Sequence, residues 1–157
     1  DGSVKVAVEA IEAAKHQHAF LGLTEDGQAG IFRTKGNSYA HLVLRGGANG
    51  PNFGSEHIAF AQELMRKSKL RPNIVVDCSH ANSSKKAEKQ AVAFRDIVQQ
   101  VKSGATSIVG LMLESNLATG KQKVVDITKL KPGLSITDEC LGWQETQALI
   151  KEAYEQL

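Results

Sequence analysis

The stretch NIVVDCSHANSSK, residues 73–85, carries the strongest indication of fold in this sequence. Four largely apolar residues are followed by Asp77, Cys78, Ser79 and His80, and then by a run of small polar residues. A short apolar run that is bounded by turn residues is typical of a buried strand. The stretch therefore predicts a strand that carries an imidazole to its carboxyl end.

Strand-like and helix-like segments alternate on both sides of this stretch. Before it we predict a helix in DGSVKVAVEAIEAAK (1–15) capped by Ser3, a hairpin of AFLGLT (19–24) and AGIFRT (29–34) around Asp26-Gly27, a strand in HLVLRGG (41–47), and a helix over 55–69 capped by Ser55. After it we predict a helix with an apolar face from Ala87 to Val101 that ends at Gly104, a strand in SIVGLMLES (107–115) buried on both faces, and a closing helix in ETQALIKEAYEQL (145–157).

This order of elements predicts an α/β fold. Strands that alternate with helices form a parallel sheet with crossover helices. A doubly wound sheet and a piece of a (β/α)8 barrel both fit the order.

Composition and charge argue against several classes of function. The chain has 157 residues, 41% of them hydrophobic and 23% charged, which suits one soluble domain or part of one. A net charge of +2 without a basic run among aromatics does not indicate nucleic-acid binding. No apolar run is long enough to span a membrane. Two distant cysteines, Cys78 and Cys140, and no secretion-signal pattern lead us to expect a cytoplasmic protein.

Charged and metal-binding side chains follow three consecutive predicted strands. Arg45, His80 and Glu114 stand where these strands end, and Asp138 precedes the last helix. Ligands gather at the carboxyl ends of the strands in parallel α/β folds. An imidazole with two carboxylates suits manganese, iron, cobalt or zinc, and an arginine suits a phosphate or carboxylate. These residues are therefore candidates for one site.

Each of these residues also has a structural explanation. A histidine after a strand is more often hydrogen-bonded in a turn than bound to a metal. Glu114 can cap the residues that follow it, Asp138 can be the N-cap of the last helix, and Arg45 can point to solvent. Cys78 would share a side of a regular strand with His80, but a small buried hydrophobe is favoured over a thiolate ligand. The remaining histidines are interpreted as surface or packing residues: His16, His18, His41 and His57.

Five segments together resemble the class I 3-deoxy-D-arabino-heptulosonate 7-phosphate (DAHP) synthases. They are DGSVKVAVEAI (1–11), LVLRGG (42–47), VVDCSHANSSK (75–85), GLMLESNL (110–117) and LSITDECLGW (134–143). The resemblance implies a (β/α)8 TIM barrel, of which residues 1–157 form the C-terminal half, with an inserted regulatory hairpin near 19–35. It implies a transferase that condenses phosphoenolpyruvate with erythrose 4-phosphate to DAHP and phosphate, the first step of the shikimate pathway and of aromatic amino acid biosynthesis.

The resemblance also implies roles for individual residues. His80, Glu114 and Asp138 match ligands of a divalent metal, and His80 also matches a catalytic residue that lies against phosphoenolpyruvate. Arg45 matches an arginine that binds the phosphate of that substrate. Phe20 and Gly22 fall in the region where the family binds an aromatic amino acid inhibitor. The family further implies a homo-oligomer.

The N-terminal half of the family is not represented in these 157 residues. That half carries a cysteine metal ligand and a Lys-Pro-Arg-Thr block that holds erythrose 4-phosphate. We therefore expect the missing half as a partner in the barrel, and we expect this chain alone to be inactive. The alternative is a non-catalytic fragment, or a regulatory homologue that binds an aromatic amino acid.

Overall fold

The computed structural model describes residues 2–157, so Asp1 of the first quoted segment lies outside the described residues. In chain order the regular elements are α1 (Val4–Lys15), β1 (Ala19–Leu23), β2 (Ala29–Arg33), β3 (Leu42–Leu44), α2 (Ser55–Lys67), β4 (Ile74–Asp77), α3 (Gln90–Lys102), β5 (Ile108–Met112) and α4 (Trp143–Gln156). The predicted alternation of helices and strands is confirmed, and the chain is of the mixed α/β class. No helix in the described part of the chain is long and apolar enough to cross a membrane.

The central sheet has three parallel strands in the order β3-β4-β5. Because all three strands run in the same direction, their carboxyl ends lie along one edge of the sheet. That edge is where Arg45 follows β3, His80 follows β4 and Glu114 follows β5.

Helices cover one set of alternating strand residues and leave the other set open. Leu42, Leu44, Ile74 and Val76 are buried in a cluster with apolar residues of α1, α2 and α3. The alternate residues of the outer strands are exposed, with Val43 39% and Met112 47% accessible. Successive strand residues point to opposite faces, so one face of this sheet is packed against helices and the other is not.

A second apolar cluster lies under α3 and α4, close to the edge that carries the candidate site. Phe94 and Val98 of α3 pack with Leu149 of α4, and Cys78 and Leu141 are buried in the same cluster. A bidentate ion pair joins the two helices on their exposed side, since Arg95 donates from Nε and Nη2 to the carboxylate of Glu152 over 2.8–3.0 Å. The two helices are therefore joined both by apolar contacts and by this ion pair.

The predicted hairpin forms, with β1 and β2 antiparallel and Leu21 opposite Ile31. Its turn closes through the Thr24 N–H, which donates to the Gln28 carbonyl over 2.9 Å. Gly27 adopts a φ of +76°, a conformation that disfavours residues with a Cβ and suits the glycine of Asp26-Gly27. Both faces of the ribbon are apolar and largely exposed, including Phe20 and Leu23.

Several details differ from the sequence-based expectations. β5 is not buried on both faces, because the helices cover only one face of the sheet, and Val109 and Met112 are 56% and 47% exposed. Gly54 rather than Ser55 is the N-cap of α2, which ends at Lys67. Ala87 precedes α3 in a short 3-10 helix, although it is buried as expected. The last helix begins at Trp143 with Gly142 as its N-cap, so Asp138 does not cap it.

Candidate metal centre

Three of the four predicted site residues lie together at the carboxyl edge of the sheet. Nε2 of His80 is 3.3 Å from Oε1 of Glu114 and 3.7 Å from Oδ2 of Asp138. One ligand atom from each residue can be chosen so that all three lie within 4.8 Å of one another. They line a cleft of about 10 Å³, to which Ser79, Ser83, Lys85 and Glu139 also contribute. That volume is near the lower limit for a single water molecule, so the cleft suits one small ion.

The position of His80 follows from an abrupt end to β4. The strand stops at Asp77, and a 3-10 helix runs from His80 to Ser83 with Ser79 as its N-cap. His80 has a φ of +52°, which L-residues other than Asn, Asp and His seldom adopt. The left-handed backbone turns the imidazole out of the strand direction and across the end of the sheet.

Asn82 fixes this turn to the neighbouring strand. Its buried side-chain amide donates to the carbonyl of Asp77 over 2.7 Å and to that of Leu44 over 3.1 Å. Its Oδ1 accepts from the N–H of Asn52 over 2.7 Å. One side chain thus ties together the ends of β3 and β4 and the loop after β3.

Glu114 is likewise fixed by a buried side-chain amide. Gln90, the first residue of α3, donates from Nε2 to the Glu114 carbonyl over 3.1 Å, and its Oε1 accepts from the Glu114 N–H over 2.9 Å. The side chain of Gln90 therefore makes the two hydrogen bonds to the Glu114 backbone that a neighbouring strand would make if β5 continued. Gln90 is fully buried, so both hydrogen bonds are shielded from water.

The segment that carries Asp138 is paired with the segment that carries Glu114. The N–H of Leu141 donates to the Glu114 carbonyl over 2.9 Å, and the N–H of Asn116 donates to the Leu141 carbonyl over 2.9 Å. Gly120 and Cys140 exchange two further backbone hydrogen bonds of 2.8 and 3.2 Å. These bonds hold the Asp138 loop against the end of β5 without a regular strand.

Asp77 lies behind His80 and was not among the candidate site residues from the sequence. Its Oδ2 is 2.7 Å from Nδ1 of His80, and its Oδ1 accepts from the N–H and the hydroxyl of Ser79 over 2.8 Å each. Gln90 and Asn82 were missed as well. A carboxylate at the end of a strand, followed three residues later by a histidine, is a pattern that is visible in the sequence. The contacts of Gln90 with Glu114 and of Asn82 with Leu44 join residues that are 24 and 38 positions apart, and no local pattern indicates them.

The donor set suits a borderline divalent cation. One imidazole and two carboxylates provide nitrogen and oxygen ligands of the kind that manganese, iron, cobalt and zinc accept. All three side chains are partly exposed, so an ion can reach them from solvent.

Arg45 lies on the same edge of the sheet but outside the cleft of His80. Its side chain is exposed and lines a separate groove with residues 2–4 and Asn52. Within residues 2–157, no carboxylate lies within 4 Å of its guanidinium. The guanidinium is therefore open to an anion from solvent.

Cys78 is a buried core residue, as favoured from the sequence. It has no exposed surface and packs with Phe94 and Leu141. β4 ends at Asp77, so the regular alternation that would place Cys78 and His80 on the same side does not extend to these residues. Burial and, secondly, the charge of Asp77 raise the pKa of the Cys78 thiol to about 12. A thiol with that pKa is protonated at neutral pH and is a poor nucleophile and metal ligand.

We therefore expect Cys78 to resist alkylation in the native protein. Iodoacetamide at pH 8 should modify Cys140, which is partly exposed, and should modify Cys78 only after denaturation. Peptide mapping by mass spectrometry before and after denaturation measures both sites in one sample. Equal modification of the two cysteines in folded protein would contradict the burial of Cys78.

The hairpin residues Phe20 and Gly22 lie on one face of the β1–β2 ribbon. The ring of Phe20 stacks on that of Phe32 at a centroid distance of 5.8 Å. A Cβ at Gly22 would come within 2.9 Å of the Phe32 ring, so the absence of a side chain there leaves room for this ring. The two aromatic rings and the glycine thus form an apolar surface that is open to solvent.

Comparison with known proteins assigns the chain to a family. The family model described as the DAHP synthetase I family matches residues 2–151. The chain belongs to this family. It is 42% identical over 152 residues to the Phe-sensitive phospho-2-dehydro-3-deoxyheptonate aldolase of Escherichia coli K12, covering 97% of this chain and 43% of that protein. It is 42% identical over 160 residues to the tyrosine-inhibited enzyme of Schizosaccharomyces pombe, covering 99% and 43%.

A solved structure shows the same fold over nearly the whole chain. The phospho-2-dehydro-3-deoxyheptonate aldolase of Francisella tularensis SCHU S4 matches with a TM-score of 0.92 and 40% identity, over 99% of this chain and 45% of that one. The chain thus spans less than half the length of the DAHP synthetase I relatives it matches. More than half of each of these relatives therefore lies outside the matched region.

Proposed function

We propose that this chain is the C-terminal half of the catalytic domain of a DAHP synthase. The full-length protein condenses phosphoenolpyruvate with erythrose 4-phosphate and water to give DAHP and phosphate. The observation that carries the proposal is the cluster of His80, Glu114 and Asp138 at the carboxyl edge of parallel strands in a chain of this family. Membership of the family gives the reaction, and the cluster supplies residues suited to it.

The packing of the sheet favours half of a (β/α)8 barrel over a doubly wound sheet. A doubly wound sheet has helices on both faces, whereas a barrel has helices outside and strand side chains filling its interior. Here the helices cover one face, and Val43 and Met112 of the other face are exposed. In the proposal that open face is the interior of the barrel, which the N-terminal half closes. Residues 19–35 form a hairpin that is an insertion in the chain between elements of the barrel.

His80, Glu114 and Asp138 hold a divalent metal ion in this proposal. A bound ion of this kind acts as a Lewis acid that polarises the aldehyde of erythrose 4-phosphate or activates a water molecule. The three residues leave room in the coordination shell, which the resemblance fills with a cysteine from the N-terminal half. Nε2 of His80 faces both carboxylates, and the resemblance implies that the ring lies against phosphoenolpyruvate, so His80 is both ligand and catalytic residue in this proposal.

Arg45 binds the phosphate of phosphoenolpyruvate in this proposal. It follows β3 on the same edge of the sheet as His80, and its guanidinium is exposed. A guanidinium holds a phosphate through two parallel hydrogen bonds, which fixes the direction as well as the position of the substrate. C3 of the bound enol ester then attacks the aldehyde carbon, water adds at C2, and phosphate leaves.

The hairpin forms part of an effector site in this proposal. Relatives of this chain are named Phe-sensitive, Tyr-sensitive and Trp-sensitive. Phe20, Phe32 and the space above Gly22 provide an aromatic surface of the kind that binds an aromatic side chain.

The exposed apolar faces of the ribbon also suit a contact between subunits of a homo-oligomer.

The proposal is tested on the full-length protein that contains this chain. With manganese, phosphoenolpyruvate and erythrose 4-phosphate, we expect DAHP and phosphate in equal amounts, and we expect EDTA to stop the reaction. Isothermal titration with phenylalanine, tyrosine and tryptophan measures effector binding in the same preparation. Effector binding without turnover by folded, metal-loaded protein would support a regulatory homologue instead.

A bulky residue at position 22 should desensitise the full-length enzyme to its aromatic inhibitor. In Gly22→Leu the new side chain displaces the Phe32 ring and breaks the stack with Phe20. An aromatic pair contributes about 0.5–1.5 kcal/mol, so we expect the inhibition constant to rise by about 2- to 12-fold. Inhibition curves at fixed substrate concentrations measure this, and uninhibited turnover should change little.

Gly30→Ala is the matched control, because Gly30 lies opposite Gly22 in the ribbon and its added Cβ meets only Thr24 at 3.6 Å. It should retain normal inhibition. An unchanged inhibition constant in Gly22→Leu would remove Gly22 from the effector site.

A further inference from the structure

The carboxylate of Asp77 contacts His80 on the imidazole nitrogen that does not face the cluster. Nδ1 of His80 is 2.7 Å from Oδ2 of Asp77, whereas Nε2 faces Glu114 and Asp138. Asp77 is 3% exposed, so this contact is shielded from water. A buried carboxylate needs hydrogen-bond donors, and Asp77 has its donors in Ser79 and His80.

The protons available in this group of side chains determine the tautomer of His80. The Ser79 hydroxyl carries one proton, which it donates to Oδ1 of Asp77 over 2.8 Å. It has no second proton for Nδ1 of His80, although its Oγ is only 2.6 Å from that nitrogen. Nδ1 of His80 therefore carries a proton of its own. This N–H faces Oδ2 of Asp77 and Oγ of Ser79, which can both accept it. In the neutral imidazole with this tautomer the lone pair is on Nε2, which faces the two other candidate ligands.

The two oxygens of Asp77 have separate tasks. Oδ1 accepts from the N–H and the hydroxyl of Ser79 and so supports the turn after β4. Oδ2 contacts His80 and is not needed for that turn. A substitution can therefore preserve the first task and change the second.

We infer that Asp77 is a positioning residue that holds His80 as the Nδ1–H tautomer and keeps Nε2 free to bind the metal. The inference rests on the proposed metal site and goes beyond it, because no ligand role is given to Asp77. Carboxylate partners of metal-binding histidines fix the ring and raise its basicity, and their loss typically weakens metal binding by about 10–100-fold.

Asp77→Asn separates the two tasks in the full-length protein. The carboxamide oxygen can take the place of Oδ1 and keep both bonds from Ser79. The amide nitrogen then faces Nδ1 as a donor, which favours the Nε2–H tautomer and places a proton where the metal binds. We expect the dissociation constant for cobalt, followed by its visible absorption, to rise about 10–100-fold. Circular dichroism and the unfolding temperature of metal-free protein should stay near those of the parent.

Two controls make the cobalt titration decisive. Asp96→Asn changes an exposed carboxylate of α3 whose contact is with Gln100, and it should bind cobalt normally. His80→Ala should lose cobalt binding at this site. If His80→Ala binds cobalt as tightly as the parent, the proposed metal site itself is wrong. If His80→Ala loses binding but Asp77→Asn keeps parental affinity, only the role of Asp77 is wrong.

A measurement on the unaltered sequence covers the case in which Asp77→Asn does not fold. In metal-free protein labelled with 15N-histidine, long-range proton–nitrogen spectra distinguish the two neutral tautomers, and His80→Ala assigns the resonance. A His80 spectrum of the Nδ1–H form supports the inference. A spectrum of the Nε2–H form overturns it.

Discussion

His80→Ala should abolish metal-dependent DAHP synthesis by the full-length protein while leaving its fold intact. Nε2 of the imidazole faces the carboxylates of Glu114 and Asp138, so its removal takes away a proposed direct ligand and a group proposed to touch substrate. Loss of a partner behind a ligand already costs about 10–100-fold in metal affinity or activity. We therefore expect the loss of the ligand itself to reduce turnover at limiting manganese by more than about 100-fold.

The backbone conformation of His80 affects the choice of substitution. Its φ of +52° disfavours alanine, whereas asparagine tolerates the left-handed region. His80→Asn therefore removes the imidazole with less effect on the turn, and both variants should lose activity alike. His41→Ala, at an exposed histidine before β3, is the control and should remain active. Parental turnover by folded His80→Asn at limiting metal would refute the assignment of His80.

The strand-end residues could be found from the sequence because local patterns determine them. An apolar run with β-branched residues is recognisable as a strand, and parallel strands bring their carboxyl ends to one edge. The positions of His80 and Glu114 follow from these two rules. Asp138 follows less directly, because the loop that carries it is held by backbone bonds to Glu114 and Gly120 rather than by a regular element.

The residues that hold the site in place could not be found in the same way. Gln90 looks like an ordinary polar residue at the start of an amphipathic helix, yet it is fully buried and binds the backbone of Glu114. Asn82 looks like a turn residue, yet it bonds to Leu44 on the neighbouring strand. Both contacts depend on how distant segments pack. Sequence periodicity contains no information about such partners.

Residues 1–157 expressed alone should be inactive and should self-associate. β3 and β5 each pair on one side only within the described residues, so both outer edges present unpaired backbone groups. Such edges invite pairing with other chains unless they are covered. The face opposite the helices adds exposed apolar side chains, among them Val109 and Met112. We therefore expect dimers or larger species rather than a monomer in light scattering.

Activity should be absent for a separate reason, which is the composition of the site. The chain supplies three candidate metal ligands and one candidate phosphate-binding arginine, Arg45. In relatives that it covers to 43%, more than half of the polypeptide lies outside the matched region. Mixing purified residues 1–157 with manganese, phosphoenolpyruvate and erythrose 4-phosphate should leave the phosphoenolpyruvate absorbance unchanged. The full-length protein at equal molar concentration is the positive control. A monodisperse monomer would show that the remaining half is not needed to cover the outer strands. Consumption of phosphoenolpyruvate at about one turnover per second or faster, which is within the usual range for enzymes, would show that the remaining half is not needed to complete the site.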